Sequence, residues 1–360
     1  MARYERRGYG SFRSPERFRF CCVQALRSIV AALCVFMLVA STAAQDVNVH
    51  IQPRENTDPK NQPDANKVVD NTPTPEGGFK VRGKPIRTDV DLVLVNVTVT
   101  DDWNRIVTGL EKENFTIMEG SQPQEAKFFA SEDAPISLGV IFDMSGSMSD
   151  KITRAREAVI EFFKTANPQD EFFMITFADR PELIADFTKS VEDVQGKLVY
   201  TIPRGRTALL DAIYMGMNKM KDAHNSKKAL LIISDGGDNR SRYTENEIKS
   251  MVKEADVQIY AIGIFTPNPS QPEEAAGPAL LGDVTEVTGG RLFTINNPNE
   301  LADVATKIGI ELRNQYVLGY RPSNGSRDGK WRKIKVKLNP PKGLPPLHVY
   351  SKTGYYAPSE

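Results

Sequence analysis

The stretch ISLGVIFDMSGS, residues 136–147, joins an almost continuous apolar run to a short segment of aspartate and serines. A strand without polar alternation is typical of a parallel sheet that is covered on both faces. The same pattern returns in three runs further along the chain, EFFMITFA (171–178), ALLIISD (229–235) and VQIYAIGIF (257–265). Together they predict four buried strands in the middle of the protein.

Segments with helical periodicity separate these strands. In residues 152–163 the apolar positions recur at helical spacing, so one face of a helix would be apolar. The pattern predicts five more helices, over 191–202, 209–223, 245–255, 280–288 and 300–313, and two more strands, at 182–187 (an edge strand) and 291–295. Strands that alternate with helices predict an α/β fold with a doubly wound, mostly parallel sheet.

Both flanks of this region alternate between apolar and polar residues. Residues 88–130 show period-2 runs with short polar turns, and the tail repeats them in 315–320 and 331–338. Such runs predict antiparallel strands. Because four short strands are few for an enclosed core, we expect the tail to complete the first sheet and form a β-sandwich-like domain around the inserted α/β domain. Independent small modules are the alternative.

Residues 1–85 are predicted to contain a signal peptide and a linker. Seven arginines and a short apolar run, 29–40, precede the small residues 41–44, a pattern that predicts a secretory signal peptide over 1–44. An uncleaved anchor is the alternative. Residues 45–85 are rich in Pro, Asn, Asp and Gly and predict a disordered linker. We therefore expect a secreted or periplasmic protein with no membrane span after cleavage.

The predicted organisation follows from these patterns. Its five parts are a signal peptide (1–44), a linker (45–85), the first part of a β-rich domain (86–133), the α/β domain (134–314) and a β-rich C-terminal part (315–360). Only the α/β domain carries a group of polar residues at the ends of buried strands. The α/β domain is therefore the predicted location of a functional site.

Composition excludes several classes of function. The 46 basic residues equal the 46 acidic ones, so no net positive charge favours nucleic acid. All three cysteines lie in residues 1–44, which leaves no thiolate site in the rest of the chain. The three histidines, His50, His224 and His348, lie in segments that are not expected to converge, and GxxxxGK[ST] is absent. We do not expect an enzyme; a magnesium-dependent hydrolase is the weakest alternative.

Five oxygen-bearing side chains stand at strand ends or helix starts. Asp143, Ser145 and Ser147 end the first buried strand, Thr207 opens a helix and Asp235 ends the third buried strand. Ligands of doubly wound sheets bind at the carboxyl ends of the strands, so these residues should converge. Hydroxyl and carboxylate oxygens suit Mg²⁺, Mn²⁺ or Ca²⁺. Capped strand-to-helix turns that hold no metal are the alternative.

The motifs DMSGSM, GRTALLDAIY and SDGGDN, with the tail QYVLGYRP, identify a resemblance. Residues 136–313 resemble a von Willebrand factor A domain, and 88–358 are similar to a bacterial exported "VWFA-related" family. The resemblance implies a metal-ion-dependent adhesion site. In it, Ser145, Ser147 and Thr207 would bind the cation directly, and Asp143 and Asp235 would act partly through water. An Asp or Glu of a protein partner would complete the coordination.

The expected function is therefore adhesion-type binding. Two carboxylates about neutralise a divalent cation, and Mg²⁺ keeps waters that a partner's carboxylate can replace. The alternative is a structural or envelope-assembly module whose metal only stabilises the fold. Two neighbouring residues each allow two interpretations. Asp238 is either a rim residue or a charge at a turn or helix N-terminus, and Arg206 either attracts an acidic partner or is simply solvated.

Overall fold

The computed structural model describes residues 92–131, 133–199, 201–266, 268–269 and 272–359. They belong to one compact unit, Gly83–Glu360. The expected signal peptide (1–44) and linker (45–85) lie outside the described residues. Among the described helices, none has the length and apolar character that a membrane span requires.

The described chain alternates between strands and helices in its middle and contains only strands and short turns at its flanks. The strands are β1 (Val93–Asp101), β2 (Phe115–Glu119), β3 (Gln122–Gln124), β4 (Ala126–Ala130), β5 (Ile136–Asp143), β6 (Glu171–Phe177), β7 (Pro181–Thr188), β8 (Lys227–Ser234), β9 (Gln258–Ile264), β10 (Leu292–Ile295), β11 (Tyr316–Tyr320), β12 (Trp331–Leu338), β13 (Leu347–Ser351) and β14 (Gly354–Tyr356). The helices are α1 (Ile152–Phe163), α2 (Val191–Val199), α3 (Leu209–Lys219), α4 (Glu245–Glu254), α5 (Pro272–Thr288) and α6 (Leu301–Arg313).

The central sheet has six strands in the order β10-β9-β8-β5-β6-β7. Every pair is parallel except β6 with the edge strand β7. Helices α1, α2 and α6 pack on one face and α3, α4 and α5 on the other, so every residue of β5, β6, β8 and β9 except Lys228 is buried. This doubly wound α/β sheet confirms the predicted fold class and explains why its strands lack polar alternation.

The flanking segments form two further four-stranded sheets. Their strand orders are β13-β1-β11-β4 and β14-β12-β2-β3, so each sheet takes strands from both sides of the α/β region. The two sheets share one apolar core, to which β1 contributes Val95, Val97 and Val99. Leu94 lies on the opposite face of β1 and is exposed, as the period of two in a strand requires, and Leu92, just before β1, is exposed as well. The protein thus combines an α/β domain with a β-sandwich-like domain.

Several element boundaries differ from the sequence prediction. Helix α5 begins at Pro272 instead of residue 280, because proline is tolerated in the first turn of a helix, where the amide has no partner. Helix α2 ends at Val199 instead of residue 202. The tail also contains β14, which period-2 counting missed because it has only three residues.

The start of α5 packs directly on the loop that follows β8. Gly236 adopts φ +83°, and a Cβ on Gly277 of α5 would lie only 2.6 Å from the carbonyl oxygen of Gly236. Backbone atoms cannot move aside as a flexible side chain can. The contact therefore holds the N-terminal turn of α5 beside the residues that follow Asp235.

Gly277→Ala should lower the free energy of unfolding by about 1–3 kcal/mol, because the added methyl overpacks a backbone contact. The matched control is Gly282→Ala in the same helix, whose Cβ would meet only Leu292 at 4.0 Å. That change should be neutral or stabilising by up to about 1 kcal/mol, since alanine favours helix over glycine. Urea unfolding measures both variants, and equal effects would contradict the packing argument.

Candidate functional site

The candidate site lies at the carboxyl ends of the parallel strands β5 and β8, which are neighbours in the sheet. Asp143 is the last residue of β5, and Asp235 directly follows β8. The Asp143 carboxylate is fully buried and accepts hydrogen bonds from Ser234 Oγ (2.6 Å) and from the Ser145 amide (2.8 Å). These two bonds fix the orientation of the carboxylate from both sides.

The three serine and threonine residues of the motif come from two loops that are joined by backbone hydrogen bonds. Ser145 Oγ and Ser147 Oγ lie 3.1 Å apart after β5. The amide of Gly146 donates to the Gly205 carbonyl at 3.0 Å, which brings the loop before α3 against the first loop. Thr207, in that second loop, is buried.

A third loop, which follows β8, also holds Thr207 in place through hydrogen bonds. The Thr207 amide donates to Asn239 Oδ1, and the Asn239 amide donates to the Thr207 carbonyl, both at 3.0 Å. A cavity of about 190 Å³ opens between the loops; it is lined by Ser147, Gly205, Arg206, Thr207, Asp235, Gly237, Asn239, Glu273 and Glu274. Three of the five predicted residues thus line one cavity, and Asp143 and Ser145 lie buried next to them.

Charge is unevenly compensated in this cluster. Burial, and then the negative charge of Asp235, raise the pKa of Asp143 to about 7, against the hydrogen bonds from Ser145 and Ser234. The only ammonium that contacts Asp235 in the described part of the chain is Lys151, whose Nζ lies 3.3 Å from Asp235 Oδ2. Of these two adjacent carboxylates, only that of Asp235 contacts a positively charged side chain among the described residues.

The donor set fits a hard divalent cation. Its atoms are hydroxyl and carboxylate oxygens, the ligands of Mg²⁺, Mn²⁺ and Ca²⁺, and additional positive charge would relieve the repulsion between the two carboxylates. Within the described residues, no group of three or more His, Cys, Asp or Glu side chains is arranged to hold a metal. Any cation here would therefore depend on Ser145, Ser147 and Thr207 as well as on the two aspartates.

Asp238 belongs to the loop after β8, and its side chain contacts the start of α3. Its Oδ2 accepts from the Leu210 amide at 2.9 Å and from Ser241 Oγ at 2.6 Å. A carboxylate that accepts an amide of the first helical turn satisfies a group the helix cannot pair itself. The interpretation of Asp238 as a helix N-terminal charge is confirmed.

Sequence reasoning missed four residues that line the cavity or contact Asp235. They are Lys151, Asn239, Glu273 and Glu274. Asn239 is the last residue of the motif SDGGDN, and its place beside the strand-end aspartate was the available signal. Lys151 and the two glutamates lie far from Asp235 in the sequence, and the chain contains no local signal for their positions.

The pKa of Asp143 predicts how stability depends on pH without metal. A folded-state pKa of about 7, above the ordinary 3.8, means that the native state holds this proton more tightly than the unfolded chain does. The proton on Asp143 therefore contributes to the free energy of unfolding. This contribution is complete below about pH 4, is lost as the pH rises to 7, and is a few kcal/mol at most.

In buffer with a chelator, the melting temperature of the wild type should therefore fall more steeply between pH 5 and 8 than that of Asp143→Asn, because the asparagine side chain cannot ionise. Calorimetry of the two proteins across this range gives the comparison. Parallel pH profiles would mean that Asp143 does not titrate in this window.

Comparisons with known proteins identify the central region. Residues 138–237 match the family model of the von Willebrand factor type A domain. Inter-alpha-trypsin inhibitor heavy chain H4 of Sus scrofa is 28% identical over 178 residues, which cover 44% of this chain and 18% of that protein. An uncharacterized protein of Borreliella burgdorferi is 20% identical over 188 residues, 46% of this chain and 55% of that protein. The chain thus spans less than a fifth of the first relative and about half of the second.

A solved structure covers more of the chain. The von Willebrand factor type A protein from Catenulispora acidiphila aligns with 73% of this chain and 72% of its own, at 11% identity and a TM-score of 0.44.

Proposed function

We propose that this von Willebrand factor A domain protein recognises an acidic residue of a protein partner through a divalent cation. A domain of this family indicates an adhesion or protein-binding module. The proposed ligands of Mg²⁺, Mn²⁺ or Ca²⁺ are Asp143, Ser145, Ser147, Thr207 and Asp235. The observation that carries the proposal is the convergence of three loops, which bring these two carboxylates and three hydroxyls together beside one cavity.

Each residue has a distinct task in this proposal. Ser234 and the Ser145 amide hold the Asp143 carboxylate, and Lys151 holds that of Asp235. Ser147 and Thr207 reach the cavity that opens to solvent. A bound cation would supply a positive centre with exchangeable water positions, one of which a carboxylate of the partner can take.

The same cluster suggests a second role. Asp143 and Ser145 are 0% and 1% exposed, so a cation near them would also tie three loops together. A structural or envelope-assembly module would use the cation for this purpose alone. We assign no catalytic role to the site.

We also propose that the protein acts outside the cytoplasm, because residues 1–44 contain an arginine-rich segment and a short apolar run.

Affinity capture tests the proposal. Immobilised full-length protein is exposed to a surface-protein extract of its source organism with Mg²⁺ or with EDTA, in parallel with Asp143→Ala. We expect captured proteins that are lost both in EDTA and in the variant, and whose binding is lost when one Asp or Glu is replaced by its amide. Capture that is unaffected by EDTA would overturn cation-mediated recognition, and a metal-dependent melting temperature beside it would favour the structural module.

A further inference from the structure

We propose that a groove beside the candidate cation site, lined by Arg180 and Arg204, binds a second acidic side chain of the same partner segment. The occupant is an extended acidic stretch of a partner protein, and the inference rests on the proposed function. One carboxylate of that stretch would reach the cation, and the next acidic residue on the same side would reach the arginines.

The groove has a volume of about 450 Å³ and is lined, among others, by Met144, Asp179, Arg180, Thr201, Ile202 and Arg204. Met144 lies between Asp143 and Ser145 in the chain, so the groove and the candidate cation site share one loop. A ridge formed by residues 204–206 separates the two spaces. Arg204 lines the groove on one side of this ridge, and Gly205 and Arg206 line the 190 Å³ cavity on the other.

The ridge is held in place before any ligand arrives. The Arg204 amide donates to the Met144 carbonyl at 2.8 Å, and the Arg206 amide donates to Asp179 Oδ1 at 3.1 Å. Gly205 adopts φ +85°, and a Cβ at this position would overlap the Asp179 carboxylate. A surface that is already ordered loses little conformational entropy when a ligand binds.

The guanidinium groups at and beside the ridge are available to an acidic ligand. Arg180, Arg204 and Arg206 are exposed, and none of their guanidinium groups forms a hydrogen bond or ion pair with the described residues. Asp179 and Glu182 also line the groove; Asp179 accepts a backbone hydrogen bond, and neither acid forms an ion pair with Arg180 or Arg204. A guanidinium binds a carboxylate through two parallel hydrogen bonds, so Arg180 and Arg204 are suited to an Asp or Glu side chain.

The geometry of an extended chain sets the spacing of the two acids. In an extended peptide, residues i and i+2 point to the same side and lie about 7 Å apart. A segment with acids at these positions presents both carboxylates to the protein, and the proposal places one at the cation and the other at the arginines. Ile202 is 78% exposed at the rim and would be covered by the apolar part of such a segment.

Two labelled peptides test the groove by fluorescence anisotropy with the full-length protein and Mn²⁺. One is a Gly/Ser peptide with a single Asp, and the other is the same peptide with Asp at positions i and i+2. We expect the two-acid peptide to bind at least about tenfold more tightly, as a charge-assisted pair allows. The double variant Arg180→Ala, Arg204→Ala should remove this gain and leave the affinity for the one-acid peptide unchanged.

Arg321→Ala is the matched control, because this exposed arginine of the sandwich also has no partner among the described residues. It should retain the full gain. Equal affinity of the wild type for both peptides, or an arginine variant that keeps the gain, would overturn the groove. Failure of the proposed function has a different signature: one-acid binding would persist in EDTA and in Asp143→Ala, Asp235→Ala.

Discussion

Metal-stripped full-length protein should bind Mn²⁺ saturably at one site, and the double variant Asp143→Ala, Asp235→Ala should show no such binding. The two substitutions remove both carboxylates from the five proposed ligands and leave three neutral hydroxyls, those of Ser145, Ser147 and Thr207. Hydroxyls alone do not balance the charge of a hard divalent cation that has to give up part of its hydration shell. Titration calorimetry with Mn²⁺ and Mg²⁺ measures the effect directly.

The control for this experiment removes two carboxylates elsewhere. Asp186 and Asp222 both pair with Lys219 at the surface, where they are 67% and 66% exposed. Asp186→Ala, Asp222→Ala should therefore bind Mn²⁺ as the wild type does. Unchanged binding in the site variant, or no binding by folded wild-type protein, would contradict the prediction and favour a metal-independent scaffold.

Melting curves extend the same prediction to stability. A ligand that binds only the native state stabilises it by about 2.7 kcal/mol at a free concentration one hundred times its Kd. The wild type should therefore melt at a higher temperature in Mn²⁺ than in EDTA, and the double variant should melt at the same temperature in both. A shift that survives in the variant would place the responsible ion elsewhere.

Arg291→Met should lower the free energy of unfolding by about 3–5 kcal/mol, because it leaves the buried carboxylate of Glu311 without its charged partner. Glu311 in α6 is 0% exposed, and its Oε2 lies 2.9 Å from Arg291 Nη1. Burial raises the pKa of Glu311, and the ion pair with Arg291 opposes that shift. Without the guanidinium, the protein must either bury a lone charge or bind a proton.

Arg291 also connects the two domains. Its Nη2 donates to Asn104 Oδ1 at 2.7 Å, and its guanidinium lies 4.2 Å from the ring centre of Tyr350. Both of these partners belong to the sandwich, whereas Glu311 belongs to the α/β domain. The variant should therefore weaken the attachment of the sandwich as well as the packing of α6.

Urea unfolding distinguishes this effect from simple loss of a surface charge. Arg154→Met is the control, since Arg154 forms an exposed pair with Glu157 and its loss should cost less than about 1 kcal/mol. Adding Glu311→Gln to Arg291→Met should restore part of the stability, because it removes the unpaired charge. A loss below about 1 kcal/mol for Arg291→Met would contradict the argument.

Much of the α/β domain was predictable because its signals are local. The apolar run of 136–143 identified β5, and helical spacing identified α1, since a period of 3.6 or an unbroken run is written in neighbouring residues. Helix α5 was predicted too short, because Pro272 and Pro278 suggested a loop. The additional turns of α5 contain Gly277, which packs on Gly236. No local sequence pattern reveals a contact between such distant residues.

The sequence by itself determined which oxygen-bearing residues stand at strand ends, because the alternation of strand and helix places those ends at one edge of the sheet. Only the tertiary structure decided what surrounds them. Lys151 contacts Asp235 across 84 positions of sequence, and Glu273 lines the same cavity because α5 packs on the loop after β8. Periodicity encodes how each segment faces the core, whereas contacts between distant segments depend on how complete elements pack together.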